Sequence, residues 1–578
     1  MNMHQAPTEE PQLTSIEKLK PHEEVDLNHL TELKRGIEID NALKYAIIVD
    51  KKTNVIIDGE HRFTALKELQ CKTIPVIYID YSSPLIEVQS WRKNFKLTKK
   101  AVIEAGISGK KLPPKTSKHL IKMSTDTTHI SAIEKRVDAP LEMLRQNVEL
   151  VNLNLLKSAM RTDTKDALPL YARFSQTKKV DVPLVIDKST SIILDGYEVY
   201  QALDLLTAEK APAITIDLQK IKIKATQPVT KEEIVKAGTE GPKLQPKTFK
   251  ILTEPIKIEK IPLRMLLPHV RTRRKNNLHV YESPLDLLCG TWPTPLVKLN
   301  SLSSNSRVVF AKLEGFNPFS NSVKDRIGWA MIKEALENGE LGGILYEATS
   351  TNTGIALTSI ANMLGIKTKL YIPQTIQKVS DIYLKVLGAD IVRLPINLTV
   401  EAINQVEVEA NADKATHLNQ FENDANLKVH LKYTAKELDD QLNTLGLKPT
   451  CIIGGLGTSG HMSAISLYFK NKYKDNVKII GVQPAKNEAI PGIRRVETGM
   501  KWYHWTYFDH VVDVTQTEAI EGVIEIARKE GILIGLSAGA VVSAFNKITK
   551  TKGVYALIFP DTGYKYAEQF QNYLNKHA

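Results

Sequence analysis

Two groups of residues in this sequence have side chains suited to handling phosphate groups. The first combines Glu23 and Glu24 with DGEHR at 58–62 and KTSKH at 115–119. A carboxylate can take a proton from a hydroxyl, and the cationic side chains can balance the charge of a moving phosphoryl group. The second group, GLGTSGH at 455–461, offers main-chain N–H groups of a Gly-rich turn leading into a helix, which suits a phosphate dianion.

The elements that position the first group occur twice. The sequence repeats YAIIVDKKTNVIIDGEHRFTALKELQCKTIPVIYIDY (45–81) as VPLVIDKSTSIILDGYEVYQALDLLTAEKAPAITIDL (182–218), and it repeats the block at 97–121 at 229–252. Each copy predicts a strand, a turn, a strand ending in Asp-Gly, an amphipathic helix and a further strand. Two blocks in the same order at nearly equal offsets indicate one duplicated unit.

The two copies differ in chemistry. The second copy keeps Asp195-Gly196, but it loses the His-Arg pair, has no equivalent of Trp91 and ends without the histidine. Taken singly, each polar residue of the first copy is as well explained by a solvated surface or a turn. Their joint presence in one copy and joint loss in the other predict an active site in the first copy and a degenerate structural partner in the second.

Composition limits the classes of protein that fit. The 578 residues are 42% hydrophobic, enough for roughly three or four domains. No apolar run approaches the roughly 18 residues that span a bilayer, and the net charge of +12 is spread evenly, without a basic tail. Cys71, Cys289 and Cys451 form neither a disulfide framework nor a zinc site. We therefore expect a cytoplasmic protein that binds neither membrane nor nucleic acid and acts on small, anionic metabolites.

The first copy resembles the ParB/sulfiredoxin-like free L-serine kinases over roughly residues 12–121, through the strings KPHEE, IIDGEHRFTALKEL and PKTSKH. The resemblance implies transfer of a phosphoryl group from ADP or ATP, with Mg²⁺, to the hydroxyl of free L-serine. It makes Glu23 the general base and gives Asp58 a magnesium ion. It implies that the nucleotide is bound by Asp58, Gly59, His61 and Arg62. It also implies that serine and its new phosphate are bound by Trp91, Lys115, Thr116, Ser117, Lys118 and His119.

From about residue 290 the sequence alternates apolar strands with amphipathic helices, as in α/β folds with parallel strands. It carries GTWPTPLVKL (290–299), GFNPFSNSVKDRIGWAMI (315–332), YEATSTNTGIAL (346–357), QFENDAN (420–426), IIGGLGTSGHMSA (452–464), IPGIRRVETGM (490–500), IGLSAGA (534–540) and FPDTGYKY (559–566). This series resembles the fold-type II cysteine synthase family over 284–578, which implies a pyridoxal 5'-phosphate enzyme that forms a homodimer.

The resemblance also assigns roles. Lys324 is the amine that reacts with the aldehyde of pyridoxal 5'-phosphate, Asn352 bonds its phenolic oxygen and Ser537 meets its pyridine nitrogen. The cofactor phosphate would be held by Gly457, Thr458, Ser459, Gly460 and His461. The substrate carboxylate would be held by Thr349, Ser350, Thr353 and Gln420.

Subfamilies of the cysteine synthase family differ in the group that leaves the substrate, acetate from O-acetylserine or phosphate from O-phosphoserine. Arg494 and Arg495 in IPGIRRVETGM, together with GTSGHMSA, resemble archaeal O-phosphoserine sulfhydrylase, in which an arginine of this segment recognises the substrate phosphate. A guanidinium suits a phosphate ester better than an acetyl group. Thr351, where the commoner family string TSGNTG has Gly, also argues against copying the specificity for acetylserine.

The sequence thus predicts an α/β protein, with α+β units at the N-terminus, built as a kinase unit (1–148), a degenerate copy (149–254), a linker (255–284) and a cysteine synthase-like domain (285–578). The predicted reactions are the phosphorylation of serine and the replacement of phosphate by sulfide to give cysteine. Two alternatives stay open. The first half could be a regulatory module that senses serine, nucleotide or DNA, and the second half could use another nucleophile, such as glutamate.

Overall fold

The computed structural model describes residues 10–93, 95–123, 126–252, 255–267, 279–548 and 551–577. The chain divides into two compact units, residues 1–271 and 272–578. Both mix helices and strands, and the second is built on parallel sheets, which confirms the predicted α/β class. None of the helices in the described ranges is long and apolar enough to cross a membrane.

The first copy of the duplicated unit is built on a four-stranded sheet of order β1-β5-β3-β4, in which β5 is antiparallel to β1 and parallel to β3. Its strands are β1 (Gln12–Ser15), β2 (Ala42–Tyr45), β3 (Ile47–Asp50), β4 (Ile56–Asp58), β5 (Thr73–Ile79), β6 (Ile86–Ser90), β7 (Ser117–Met123), β8 (Asp126–His129) and β9 (Arg136–Pro140). Its helices are α1 (Leu27–Asp40), α2 (Glu60–Glu68), α3 (Lys99–Ser108) and α4 (Leu141–Leu144).

The second copy repeats this topology in a sheet of order β10-β15-β13-β14-β11. Its strands are β10 (Glu149–Asn152), β11 (Lys157–Ser158), β12 (Lys179–Val180), β13 (Leu184–Asp187), β14 (Ile192–Asp195), β15 (Lys210–Ile216), β16 (Lys224–Ala225), β17 (Phe249–Lys250) and β18 (Ile261–Pro262). Its helices are α5 (Thr164–Thr177), α6 (Tyr197–Leu205) and α7 (Lys231–Thr239). β15 is antiparallel to β10 and parallel to β13, so the two copies share one fold.

Residues 255–267, which the sequence assigned to a linker, complete the second copy instead. β18 pairs with β12 as β9 pairs with β2 in the first copy. The N–H of Leu263 donates to the carbonyl of Lys178 (2.8 Å), as the N–H of Leu141 donates to that of Asn41 (3.1 Å). The strings APLEML (139–144) and IPLRML (261–266) carry this third repeated block, so the second copy extends to Leu266.

The second unit contains two sheets, of order β19-β20-β28-β25-β26-β27 and β23-β22-β21-β24, and every pair except β19–β20 is parallel. The strands are β19 (Leu296–Lys298), β20 (Arg307–Leu313), β21 (Ile344–Ala348), β22 (Lys367–Pro373), β23 (Asp390–Leu394), β24 (Thr416–His417), β25 (Cys451–Gly455), β26 (Lys478–Pro484), β27 (His510–Val514) and β28 (Gly553–Phe559). The carboxyl ends of such strands are where α/β folds bind ligands.

Helices surround both sheets. They are α8 (Pro284–Gly290), α9 (Lys324–Glu337), α10 (Thr351–Met363), α11 (Ser380–Val386), α12 (Ile403–Asp413), α13 (Ala425–Val429), α14 (Ala435–Thr444), α15 (Gly460–Tyr473), α16 (Gln516–Glu530), α17 (Leu536–Lys547) and α18 (Ala567–His577). α16 and α17 approach closely because Gly522 and Gly539 face each other. A Cβ on Gly522 would lie 2.2 Å from the carbonyl oxygen of Gly539.

The substitution Gly522→Ala tests this helix packing. We expect it to destabilise the second unit by about 1–3 kcal/mol, because the added methyl group forces the two backbones apart. Gly343→Ala is the matched control, since a Cβ on Gly343 meets nothing within 4 Å. The midpoint of urea unfolding, followed by tryptophan fluorescence, measures the difference, and equal midpoints for the two variants would contradict the packing described.

Candidate active sites

Lys324 is the first residue of α9, and its surroundings fit it for nucleophilic chemistry. The adjacent Asp325 accepts hydrogen bonds from the N–H groups of Phe319 (2.7 Å) and Ser320 (2.9 Å), which fixes the loop that leads into the helix. Burial lowers the pKa of Lys324 to about 8, although Asp561 opposes the shift. A lysine with this pKa carries a substantial fraction of free amine near neutral pH. Its pocket is lined by Asn352, Gly455, Gly457, His461, Gly492, Ser537, Asp561 and Tyr566, among others.

A buried ionic network holds the helix of Lys324 in place. Arg326, two residues along α9, is fully buried and contacts Glu314 (2.6 Å) after β20 and Glu437 (2.7 Å) on α14. Lys312 also contacts Glu437, at 3.2 Å. Burial alone would raise the pKa of Glu314, but Arg326 and Lys312 hold it at about 2. The network therefore stays charged and joins three elements around the lysine.

The Gly-rich loop forms a cradle at the start of α15. Ser459 has a left-handed φ of 71°, and a Cβ on Gly457 would lie 2.5 Å from the carbonyl oxygen of Gly492. Thr458 accepts a hydrogen bond from Asn426 (2.9 Å). The hydroxyl of Ser459 and Nε2 of His461 are buried and have no hydrogen-bond partner among the described residues.

These unpartnered groups and the helix N-terminus suit an anion. Burial and the nearby Lys324 lower the pKa of His461 to about 3, so its imidazole is neutral. It would contact an anion by hydrogen bonding rather than by charge.

Asn352 is fixed between two charged side chains. Its Nδ2 donates to Asp561 (2.8 Å), and its Oδ1 accepts a hydrogen bond from Lys565. Asp561 also accepts a hydrogen bond from the hydroxyl of Tyr566 (2.6 Å). Because an ammonium can only donate and a carboxylate here only accepts, the orientation of the amide is determined. Ser537, in the first turn of α17, lines the same pocket.

The predicted carboxylate-binding residues meet at the carboxyl end of β21. The hydroxyl of Thr353 donates to Gln420 (2.9 Å), whose Nε2 donates to the carbonyl of Ala348 (3.0 Å). The hydroxyl of Thr349 donates to the carbonyl of Ser350 (3.0 Å). The structure thus brings all four predicted residues to one strand end.

The structure separates the two adjacent arginines. Arg494 donates from Nε to the carbonyl of Gly457 (2.9 Å) in the Gly-rich loop and lies 5.2 Å from the ring of Phe421. Arg495 is bound by Asp513 and Glu497, both at 2.9 Å. Burial lowers the pKa of Arg494 to about 10, which leaves it charged at neutral pH. Arg494 therefore contacts a loop of the pocket, whereas Arg495 belongs to a surface ion network.

In the first unit, the carboxylate of Glu23 is held by the residue before β7 and by the first residue of β7. It accepts hydrogen bonds from the N–H of Thr116 (3.1 Å), from the N–H of Ser117 (2.7 Å) and from the hydroxyl of Ser117. These bonds join two of the strings that the sequence singled out, KPHEE and PKTSKH. The predicted base and two predicted substrate-binding residues therefore lie together.

The Asp-Gly element follows β4. Gly59 has a φ of 105°, where a Cβ would collide with Ile47, and it is the N-cap of α2. Arg62 donates to Asp58 (2.8 Å), to the carbonyl of Ala46 (3.0 Å) and to Glu134. Burial raises the pKa of Asp58 to about 8. Within the described ranges, no group of three or more His, Cys, Asp or Glu residues is placed to hold a metal ion, so the magnesium role of Asp58 stays a prediction.

The remaining predicted residues of the first copy are more dispersed. His61 accepts a hydrogen bond through Nε2 from the N–H of Asp26 (3.0 Å), and burial lowers its pKa. Lys115 pairs with Asp26 at 3.1 Å. Trp91 is 57% exposed, with the ammonium of Lys118 at 4.3 Å from its ring.

His119 is buried and faces the hydroxyl of Tyr81 at 3.0 Å, so it does not lie beside Glu23 in the way that Thr116 and Ser117 do. Three polar residues around the first site were missed in the sequence. His22 contacts Glu60 at 2.6 Å and Ser117 at 2.9 Å, and Glu134 contacts Arg62. The signal for His22 was its place in KPHEE, beside the predicted base. No local signal marked Glu134, which reaches Arg62 from 72 residues away.

Comparison with known proteins decides the family of the second unit. Residues 288–561 match the family model of the pyridoxal-phosphate dependent enzymes. Cysteine synthase B of Escherichia coli (strain K12) is 35% identical over 283 residues, which are 47% of this chain and 91% of that protein. The chain belongs to the cysteine synthase family. The cysteine synthase of Aquifex aeolicus (strain VF5) is 34% identical over 272 residues, 45% of this chain and 82% of that protein.

Two further matches are a solved structure and a family model at the N-terminus. A crystal structure of a hydrogen sulfide-producing enzyme from Fusobacterium nucleatum has a TM-score of 0.45 and 30% identity, and the match covers 50% of this chain and 100% of that chain. Residues 2–85 match the family model of the ParB N-terminal domain. That match does not address kinase activity, so the resemblance of the first copy to the free L-serine kinases stays a prediction.

The residues of the cysteine synthase-family unit fit pyridoxal phosphate. Lys324 offers a buried amine of lowered pKa, and the unpartnered Ser459 and His461 line the cradle for a phosphate. Asn352, whose amide orientation is fixed, lines the same pocket. A neutral hydroxyl, that of Ser537, lines the pocket. These groups supply an aldehyde-reactive amine, an anion site and a hydrogen-bond donor in one pocket.

The substitution Lys565→Met tests the orientation of Asn352. Without the ammonium the amide can rotate, so we expect the Kd for pyridoxal phosphate to rise about tenfold. Quenching of tryptophan fluorescence during titration of the cofactor-free protein measures the Kd. Lys552→Met, at an exposed lysine, is the control and leaves the Kd unchanged. An unchanged Kd in both variants would show that Lys565 does not orient the amide.

Proposed function

We propose that this protein makes L-cysteine from L-serine in two steps. The first unit transfers a phosphoryl group from ADP or ATP to the hydroxyl of free L-serine. The cysteine synthase-family unit then replaces the phosphate of O-phospho-L-serine by sulfide. The relatives named as cysteine synthases support sulfide as the nucleophile. The product of the first reaction is the substrate of the second, so one chain would hold both steps.

The environment of Arg494 is the observation that carries the choice of O-phosphoserine. Its described hydrogen bonds go to main-chain oxygens and to the hydroxyl of Thr498, not to a carboxylate. A guanidinium that is charged and not neutralised by a carboxylate contact favours a dianionic ligand, and its fork matches two phosphate oxygens. Its hydrogen bond to the carbonyl of Gly457, a residue that lines the pocket of Lys324, supports this role.

The residues of this pocket divide the second reaction among them. Bound pyridoxal phosphate supplies the electron sink that lets the substrate lose its α-proton and its β-substituent. Nζ of Lys324, with its lowered pKa, takes the α-proton. Thr353 and Gln420 bind the substrate carboxylate at the end of β21. Arg494 balances the charge of the departing phosphate.

The kinase proposal is supported by the contrast between the two copies. Where the first copy has Glu23, the second has Met160, and Glu198 and Val199 replace His61 and Arg62. The second copy nevertheless keeps the same sheet. The polar residues of the first copy are therefore not required by the fold, which favours a chemical role for them. In that role Glu23 takes the proton of the serine hydroxyl as the phosphoryl group arrives.

The substitution Arg494→Ala tests the choice of substrate. We expect the KM for O-phosphoserine to rise by about 10- to 100-fold, since a charge-assisted contact to the phosphate is lost. The reaction with O-acetylserine should change little, because acetyl is uncharged. Arg495→Ala is the matched control and should leave both reactions unchanged. Steady-state assays of cysteine formation with sulfide give these values, and equal losses for both substrates would contradict the proposed contact.

The substitution Lys324→Ala tests the kinase, because this variant cannot consume O-phosphoserine. We expect a phosphoserine ester to appear in the phosphorus NMR spectrum when the folded variant is incubated with serine, magnesium and ADP or ATP. The same sample identifies the nucleotide donor. No signal with either nucleotide would contradict the kinase proposal. It would favour a regulatory module, which the match to the ParB N-terminal domain would permit.

A further inference from the structure

A buried chain of hydrogen bonds, with one ion-pair contact at its end, links Glu23 to Glu60 across the first copy. The hydroxyl of Ser117 donates to Oε2 of Glu23. The same hydroxyl lies 2.9 Å from Nε2 of His22. On the other side of the ring, Nδ1 of His22 lies 2.6 Å from Oε1 of Glu60 and 2.6 Å from the carbonyl oxygen of Ile56. His22 itself is completely buried.

Counting hydrogens along this chain determines the state of the ring. A serine hydroxyl has one hydrogen, and that of Ser117 is used toward Glu23, so the hydroxyl must accept from Nε2–H of His22. The two neighbours of Nδ1, Glu60 and the carbonyl of Ile56, are both acceptors, so Nδ1 must carry a hydrogen as well. The ring is therefore an imidazolium cation.

The charges around the ring agree with this state. Glu60 on α2 and the adjacent Glu23 are the carboxylates that face it. The ring of His119 on β7 lies 5.4 Å away, and burial holds its pKa well below the usual value, so it adds no competing positive charge. Burial opposes a charged imidazole, but Glu60, the carbonyl of Ile56 and Glu23 together outweigh it, and the pKa of His22 is raised.

The second copy shows what the fold does without this chain. The residues at the positions of His22, Glu23, Glu60 and Ser117 are Ala159, Met160, Tyr197 and Phe249. All four polar groups have been replaced, and the hydroxyl of Tyr197 donates to the carbonyl of Ile193, the counterpart of Ile56. The rings of Tyr197 and Phe249 pack together at 6.1 Å. All four residues thus differ between the copies, while the order of the matching strands in the central sheet, β1-β5-β3-β4 and β10-β15-β13-β14, is the same.

We propose that His22 is a positioning residue of the first unit, which holds Ser117 and through it the carboxylate of Glu23 in the orientation that accepts a proton from the substrate hydroxyl. This inference rests on the proposed serine kinase function. Oε2 of Glu23 accepts two hydrogen bonds, from the N–H and the hydroxyl of Ser117, whereas Oε1 accepts one, from Thr116. In this proposal Oε1, which accepts one hydrogen bond fewer, is the oxygen that takes the proton, and the chain through His22 fixes its direction.

Two variants of the full chain test the proposal. Ser117→Ala removes the hydroxyl link but keeps the N–H bond to Glu23. The double variant His22→Ala with Glu60→Tyr rebuilds the arrangement of the second copy, which folds around the same carbonyl. For both we expect kcat for serine phosphorylation to fall on the order of 100-fold, with little change in the KM for serine, because the base is misplaced. Thermal unfolding shows that each variant is folded.

Tyr197→Phe is the matched control. It removes the hydrogen bond to the equivalent carbonyl in the second copy and should leave kcat unchanged. Unchanged kcat in either folded test variant would overturn the proposal. A higher KM for serine at constant kcat would also overturn it, since Ser117 would then contact the substrate directly.

A separate readout does not need kinase activity. Nitrogen-15 NMR of histidine-labelled protein at neutral pH, with the signal assigned by the double variant, should show both ring nitrogens of His22 protonated. A neutral ring would overturn the proposal even in an active enzyme. A doubly protonated ring in a wild-type protein that makes no phosphoserine would instead overturn the proposed kinase function and leave the hydrogen-bond chain as described.

Discussion

The buried guanidinium of Arg326 is the interaction on which the active site of the second unit depends. It neutralises Glu314, which is completely buried, and Glu437, whose side chain is only 11% exposed. Removing one partner of a buried ion pair costs about 3–5 kcal/mol, because the remaining charge is left without compensation. Since Arg326 lies two residues after Lys324 on α9, the contacts that satisfy these charges also fix the start of that helix. Stability and the position of the reactive amine therefore share one set of bonds.

In the first unit, the residues that stabilise the fold are different from those of the predicted active site. Its copies are built on the same buried strands, for example Ile47–Asp50 and Leu184–Asp187, each of which ends in an aspartate that caps the following turn. Around Glu23 the first copy carries a connected set of charged and polar groups, and the second carries aromatic and aliphatic side chains in their place. The fold tolerates either set of side chains, because the sheet and the turns are stabilised by residues that both copies retain.

The sequence was most informative where chemistry depends on neighbours along the chain. The lysine of SNSVKDR and the GLGTSGH loop are local motifs, and the structure brings Lys324 and His461 to one pocket. Contacts between distant segments could not be foreseen. His22 meets Ser117 across 95 residues, and the two adjacent guanidiniums, Arg494 and Arg495, have the same local context but different partners.

Residues 255–267 were wrongly assigned to a linker because the repeat that they carry is short. The third repeated block is only six residues long, IPLRML, and the main signal of the duplication ends before it. Its role becomes visible only through pairing, because β18 is two residues long and is defined by its contact with β12. Short edge strands carry too little periodicity to be recognised without their partner.

The fixed amide of Asn352 has a consequence for the order in which the protein matures. Its two charged partners, Asp561 and Lys565, lie 209 and 213 residues further along the chain. During synthesis, Lys324 and the Gly-rich loop leave the ribosome well before these residues are joined to the chain, since translation adds about 5–20 residues per second. A nascent chain therefore displays the reactive amine for roughly ten seconds or more before the pocket can close around a cofactor. The pocket can therefore bind the cofactor firmly only after Asp561 and Lys565 have been translated.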